Sequence, residues 1–464
     1  MSRWKLVLFY LMKSTIDHCI IINYKYMRSP SHDDVFINLF NQFTMNAISL
    51  FSSSGIGDLG LKAKNIRTVI GCELLADRMR LFGHNHPEAT TFNGDIWKLK
   101  NHIIEYYKTT YNDPPFVILA TPPCQGMSSN GMGTMLRNFR NGIRPKFDER
   151  NRLIIPAIDV IKELKPQWVI FENVPNMINT LIQDGNDSLI NIIDYIHREL
   201  GDSYEGNPTV VDVADYGVPQ HRKRLITILR RSSNPSKQVV HIPHPTHGKD
   251  SSIFVEPWVT LRSAIGNLPP LSAEKGKNIC TTLPLHRVPL LDDKKLFWVH
   301  NTPEGQTALN NQCINPKCRY QGNRIHGAKH DVDGINKANT DTPLYCEKCG
   351  ELLPRPYTID KITGEKRFMK AFTSAYKRMS WDEPASTLTQ NFQYACSDNK
   401  LHPSQDRVLS IYEALILQTI SKYDYSFEID GRCVPEGLIR DTIGESVPPL
   451  LIERIADYII NYKP

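Results

Sequence analysis

No stretch of this 464-residue chain is apolar for long enough to cross a bilayer, which excludes a membrane-spanning helix and leaves no membrane partner to expect. Cysteine is sparse: ten in a chain of this length cannot build a disulfide scaffold, so a reducing, cytoplasmic compartment is expected. A strong charge of one sign is also lacking, and the excess of six positive charges permits a nucleic-acid partner without requiring one. What remains is the composition of a globular protein, long enough for two or three domains. Leu6 to Met12, following Arg3 and Lys5, is at the short limit for a signal peptide, and no small-residue cleavage site follows it. Residues 1–45 therefore read as a poorly ordered N-terminal extension, with Met45 as an alternative start.

The stretch around which the chain is organised is Phe116-Val-Ile-Leu-Ala-Thr-Pro-Pro-Cys-Gln-Gly126. Phe116 to Ala120 is short, apolar and β-prone, as in a strand buried on both faces of a parallel sheet. Pro122 and Pro123 forbid further ladder pairing, so Cys124 is delivered at the strand end. In open α/β sheets that rim is where ligands bind. A cysteine taken at random is a buried filler, but polar, glycine-rich flanks suit an accessible nucleophile better.

Upstream, Ala47 to Phe51 reads as a first strand, and Ser52-Ser-Ser-Gly-Ile-Gly-Asp-Leu-Gly60 as the turn after it. Gly55, Gly57 and Gly60 satisfy G-x-G-x-x-G, the pattern of a backbone that approaches a nucleotide cofactor. The strand Thr68 to Cys72 ends at Glu73, at the spacing at which an acidic residue takes ribose hydroxyls. This much also admits a nicotinamide oxidoreductase. Downstream, Gln167-Trp-Val-Ile-Phe-Glu-Asn-Val-Pro175 is another apolar strand, ending at Glu172. On the extended segment Gln220-His-Arg-Lys-Arg224, alternation turns Arg222 and Arg224 to one face.

These parts, in this order, resemble the cytosine-C5 DNA methyltransferase family, with Pro-Cys-Gln at 123–125, Glu-Asn-Val at 172–174 and Gln-x-Arg-x-Arg at 220–224. The resemblance implies a doubly wound, Rossmann-like α/β domain dependent on S-adenosylmethionine. It assigns Cys124, Glu172, Arg222 and Arg224 to catalysis. Phe51 would stack on the adenine, Glu73 would take the ribose hydroxyls, and Asp95, beside Ile96, would accept from the adenine amino group. Ser53, Gly55, Gly57 and Pro122 would complete that side, while Ser446 and Val447 of Gly444-Glu-Ser-Val447 fold back onto the cofactor. The family commonly has asparagine where this chain has Glu445, so Glu445 is not carried over as a ligand.

The chemistry follows from the substrate. Carbon 5 of cytosine is too weak a nucleophile to take a methyl group until a thiolate adds at carbon 6, and positive charge nearby favours that thiolate. Density pushed toward ring nitrogen 3 calls for an acid, the role of a protonated Glu172. The base must leave the duplex stack. Gly126, Gly131, Gly133 and Gly142 would hinge the segment after Cys124, and Arg137, Arg140, Arg144, Lys146, Arg150 and Arg152 would meet phosphates.

From about Val239 the βα rhythm stops. His241, His244 and His247 fall in a proline-rich connector rather than a metal site. Cys313-x-x-x-x-Cys318 and Cys346-x-x-Cys349 form paired knuckles suited to tetrahedral zinc. The expected organisation is a catalytic and cofactor-binding domain at 46–240, a loop-rich target-recognition domain at 241–375 with its zinc module at about 310–352, and a return to the catalytic domain at 376–464. Helices are expected at Arg407 to Leu417 and Leu450 to Ile459. The expected partner is duplex DNA, methylated by a monomer in a prokaryotic cytoplasm to protect it from a cognate restriction endonuclease that makes no stable contact. Alternatives are a transfer-RNA methyltransferase of the same chemistry and a catalytically silent zinc-containing DNA-binding protein.

Overall fold

Most parallel strands of the central sheet are apolar runs that stop at polar or proline residues, which brings their ends together along one rim. In the computed structural model these strands are β1 (Met45–Leu50), β2 (Ile66–Glu73), β3 (Thr90–Asn93), β4 (Val117–Ala120) and β5 (Trp168–Asn173). Tyr204–Glu205 (β6), Pro208–Asp212 (β7) and Lys223–Arg231 (β8) follow. The order is β3-β2-β1-β4-β5-β8-β6, with β7 also against β8. β4 pairs parallel with β1 and β5, whereas β8 is antiparallel to β5 and sets Ile226 opposite Glu172. The structure describes residues 45–123, 149–184, 188–233, 240–330, 336–339, 341–369 and 371–463. The expected N-terminal extension, Cys124 and the glycine- and arginine-rich segment up to Lys146 lie outside them. One unit runs from Asn46 to Pro464.

β4 is buried at all four positions, as its unbroken apolar run requires. One face of the sheet, through Ile48, Leu50, Ile118, Ala120, Val169 and Phe171, packs with the apolar sides of α3 (Ile96–Thr110), α4 (Ile154–Leu164) and α5 (Ile192–Leu200). On the other face, Ser49 and Thr68 donate to the buried carboxylate of Asp58 on α1 (Asp58–Lys62), and Trp168 meets Tyr462 edge to face. Helices thus cover both sides. α2 (Ala76–Asn85) links β2 to β3.

Beyond β8, short elements replace the βα rhythm: α6 (Leu261–Ile265), α7 (Asp293–His300) and several two-stranded hairpins. Trp298, Val299, Ala308 and Leu309 share a core with Ala375, Tyr376, Ala395, Leu401 and Val408. The buried Arg378 guanidinium ties this region together, donating to the carbonyls of Thr302, Val299, His402 and Gln405 and to Asp406. A boundary at 375 therefore runs through a shared core. The expected helix from Arg407 begins only at Ile411 (α8, Ile411–Leu417), because Ser410 and Glu413 form a capping box. α9 (Glu436–Glu445) and α10 (Pro449–Ile460) close the chain. α10 lies so close to α1 that a Cβ on Gly60 would fall 2.3 Å from the Pro449 carbonyl oxygen, so the third glycine of the turn serves helix packing.

Candidate active site

A cavity of about 710 Å³ opens at the rim where β1, β2, β4 and β5 end. Its first wall is the turn after β1. Phe51 and Ser53 both adopt left-handed backbone (φ 60° and 47°), a strained choice for residues with a Cβ. The turn holds because the Ser52 N–H donates to the Cys72 carbonyl (3.0 Å), the Thr121 hydroxyl to the Phe51 carbonyl (3.0 Å) and the Ser53 N–H to Glu73 Oε2 (3.0 Å). Glu73 Oε1 accepts from the Leu75 N–H at 2.9 Å, which locks the carboxylate at the strand end. Asp95 caps α3 by accepting from the Trp97 N–H at 3.0 Å.

Of the residues expected to hold the cofactor, Phe51, Ser53, Gly57, Glu73 and Asp95 line the cavity, as do Ile96, Pro122, Ser446 and Val447. Gly55 does not. Its left-handed φ of 78° and the His86 ring, 2.5 Å from where a Cβ would sit, show that it makes room for the imidazole beneath the turn. His86 Nε2 lies 2.9 Å from the Gly55 carbonyl oxygen. The lining fits a nucleoside with a charged tail: a half-buried aromatic ring, two fixed carboxylates, and the buried Ser53 and Ser54 hydroxyls, which have no partner among the described residues. Cys72 also lines the cavity, but burial pushes its thiol up to about 12, so it is no nucleophile.

Glu172, Arg222 and Arg224 line the same cavity. Arg224 Nε lies 2.8 Å from Glu172 Oε1. Burial raises the Glu172 carboxyl above the ordinary value, against the pull of both guanidiniums. Burial thus favours the neutral carboxyl, with one oxygen accepting from Arg224 and the other available to a proton. Arg222 is turned elsewhere: its Nη1 donates to the Leu388 carbonyl (2.7 Å) and its Nη2 to that of Gly444 (2.9 Å). It clamps the returning chain onto the rim. Cys124, outside the described residues, follows Pro123, another lining residue. The Asn173 amide donates to the Pro122 carbonyl at 3.0 Å and secures the end of β4 to β5.

Residues from the returning chain went unrecognised in the sequence. Thr387 to Asn391 line the cavity together with Arg78 of α2. Arg78 pairs with Glu445 at 2.6 Å, and the Gln390 amide also donates to that carboxylate. The unusual acid thus has a cation of its own. Ser446 is set by a buried relay of amides: Gln220 donates to Gln418 (2.8 Å), and Gln418 to the Ser446 hydroxyl (2.9 Å).

Away from the rim, the four Sγ atoms of Cys313, Cys318, Cys346 and Cys349 lie within 4.8 Å of one another. Cys313 and Cys349 are 3.7 Å apart, and Cys318 and Cys346 3.9 Å. Zinc bound tetrahedrally at about 2.3 Å from each sulfur sets neighbouring sulfurs about 3.8 Å apart. His241, His244 and His247 form no such group with other ligand-type residues among those described.

Residues 45–461 match the model of the C-5 cytosine-specific DNA methylase family. Type II methyltransferase M1.HgaI of Avibacterium volantium is 31% identical over 429 residues, covering 89% of this chain and 98% of that protein. Type II methyltransferase M.AgeI of Thalassovita gelatinovora is 24% identical over 454 residues, covering 89% and 99%. Among solved structures, a prophage-encoded protein assigned as a DNA modification methyltransferase (E. coli) superposes with a TM-score of 0.53 at 18% identity, over 90% of this chain and 99% of that one, a likeness of fold. With an acid, two guanidiniums and a nucleoside-shaped wall around one cavity at the sheet rim, the chain belongs to the C-5 cytosine-specific DNA methylase family.

Proposed function

We propose that this protein transfers a methyl group from S-adenosylmethionine to carbon 5 of a cytosine flipped out of a specific duplex DNA sequence. The observation that carries this reading is that Glu172, Arg222 and Arg224 share one cavity with Phe51, Glu73 and Asp95. When bound, S-adenosylmethionine supplies an electrophilic methyl group. The Cys124 thiolate adds to carbon 6 of the ring, and the electron pair displaced toward nitrogen 3 is met by the proton of Glu172. Arg224 holds that carboxyl in place through Oε1. Carbon 5, made nucleophilic, would take the methyl group as its bond to the sulfonium sulfur breaks, leaving S-adenosylhomocysteine. Loss of the carbon 5 proton to water or a base, with the nitrogen 3 proton returned to Glu172, would then restore the ring and expel the thiolate.

Phe51 would stack on the adenine, Glu73 would accept from the ribose hydroxyls, and Asp95 from the exocyclic amine. Ser53, Gly57, Ile96, Pro122, Ser446 and Val447 would shape the remainder. Residues 241–375 would read the duplex, and the four cysteines would hold a structural zinc ion that substitutes for a core this loop-rich region lacks. The relatives favour a restriction-modification setting, in which a monomer in a bacterial cytoplasm protects DNA from a cognate endonuclease.

Incorporation of labelled methyl groups into duplex DNA and into transfer RNA tests the substrate, and bisulfite sequencing of DNA from expressing cells reports the modified position. Incorporation into duplex DNA, abolished in a Cys124→Ser chain, is expected. Incorporation into RNA alone would defeat the proposal.

A further inference from the structure

Arg355 is fully buried, and among the described residues no carboxylate lies within ion-pair distance of it. Its Nε donates to the Asn311 carbonyl (2.7 Å), and its Nη1 to the carbonyls of Arg324 (2.9 Å) and Pro343 (2.8 Å). Its Nη2 is buried with no hydrogen-bond partner among the described residues. A cation taken out of water and given only neutral acceptors is costly, and such groups are normally paired.

The three acceptors are not scattered. Asn311 lies two residues before Cys313, Arg324 follows Cys318, and Pro343 lies three residues before Cys346. One guanidinium therefore bridges the backbone segments that present both knuckles. The negative groups acting on it are Glu347 and Cys346. Glu347 already has a cation in Arg324, at 2.8 Å. Four thiolates around Zn²⁺ leave a net charge of −2, and a buried cation bonded to the segments that carry them offsets part of that charge.

We propose that Arg355 is the counter-charge and positioning residue of the metal centre, holding both knuckles in register while balancing a zinc tetrathiolate formed by Cys313, Cys318, Cys346 and Cys349. This inference rests on the zinc reading above and adds the residue on which the affinity of the site depends. Groups that orient and balance metal ligands are worth about 10- to 100-fold in metal affinity.

The test uses the full chain. Zinc content is measured by elemental analysis, and affinity by competition with a chromophoric chelator, for the natural protein, Arg355→Met and Arg355→Lys. One zinc per natural chain is expected, with release from Arg355→Met at about 10- to 100-fold lower chelator concentration and partial recovery in Arg355→Lys. The melting temperature is then compared for Arg355→Met made alone and together with Cys346→Ser and Cys349→Ser. A purely structural arginine would cost the same in both backgrounds. The hydrogen bonds to the knuckle carbonyls are lost in both backgrounds, but the counter-charge matters only when the metal is held, so the substitution should cost clearly less in the chain that cannot bind zinc. A natural chain without zinc removes the zinc reading itself. A zinc-bearing natural chain with unchanged affinity in Arg355→Met, or an equal loss of melting temperature in both backgrounds, overturns the role of Arg355 alone. Should the methionine chain fail to accumulate, the lysine chain decides: affinity within about tenfold of the natural protein supports the charge role, and loss of zinc refutes it.

Discussion

Replacing Glu172 by glutamine separates its two duties. In the native site Oε1 accepts from Arg224 at 2.8 Å, and both side chains are largely out of solvent. The amide oxygen of Glu172→Gln can still accept from that guanidinium, so the fold should survive. Truncating one member of a fully buried ion pair costs about 3–5 kcal/mol. Here the loss is smaller, because an acceptor remains and the burial penalty that raises the native carboxyl disappears. What the amide cannot do is release a proton to ring nitrogen 3. Positioned proton transfer contributes about 10²- to 10⁴-fold, so the barrier should rise by about 3–5 kcal/mol. The raised carboxyl also sets the sign of the pH dependence. Its protonated, donating form persists above the usual carboxylate range, and activity should fall as pH rises through the folded-state value. Glu172→Gln should lack that limb. Single-turnover methyl transfer with saturating DNA and cofactor, followed across pH, measures both effects. A glutamine chain within about threefold of the natural rate would refute the assignment of the acid.

Three further outcomes are expected. Arg78→Gln leaves the half-buried Glu445 carboxylate at the cofactor wall with the Gln390 amide but without its cation and should weaken binding of S-adenosylhomocysteine about tenfold by calorimetry. The double variant with Glu445→Asn should recover most of the loss, and its failure to do so would separate the pair from the cofactor. Gly60→Ala sets a methyl against the backbone of α10 and should cost more than the ~1–3 kcal/mol of ordinary overpacking, read as a fall in unfolding midpoint. His402 is held down to about 3 by burial and by Arg407, so it stays neutral in the fold while the unfolded chain takes up a proton below about 6.5. Stability should therefore fall by about 1.4 kcal/mol per pH unit between those values, and His402→Gln should flatten that slope in urea titrations. For Glu413, burial pushes upward but Arg407 prevails at about 2, so its contribution is lost only at lower pH, from about 4.5 down to about 2.

Glu73, Asp95 and Glu172 were legible because each is a polar residue where an apolar or extended run stops, and strand ends share a rim. The cysteines were legible because knuckle spacing is local. Arg78, Gln390 and Glu445 were not, since Arg78 and Gln390 reach Glu445 across separations of 367 and 55 residues, which no short pattern records. Alternation along the extended segment correctly set Arg222 and Arg224 on the same cavity. It could not tell that one would take a carboxylate and the other backbone carbonyls, because those carbonyls belong to segments that return much later. The contact of Gly55 with His86 was hidden for a similar reason: the ring it accommodates is 31 residues away. Contacts across position 375 were equally invisible in the sequence: Tyr376 shares a core with Trp298 and Leu309, and Arg378 donates to the Thr302 carbonyl.

The grip of Arg222 on Leu388 and Gly444 has a consequence for how the protein is made. Ribosomes deliver residue 222 long before residues 388 and 444, and until those later segments emerge the guanidinium lacks these two acceptors and the chamber lacks a side. A half-synthesised chain can fold its parallel strands yet should retain no methyl donor, so the enzyme cannot modify a genome while it is still being translated.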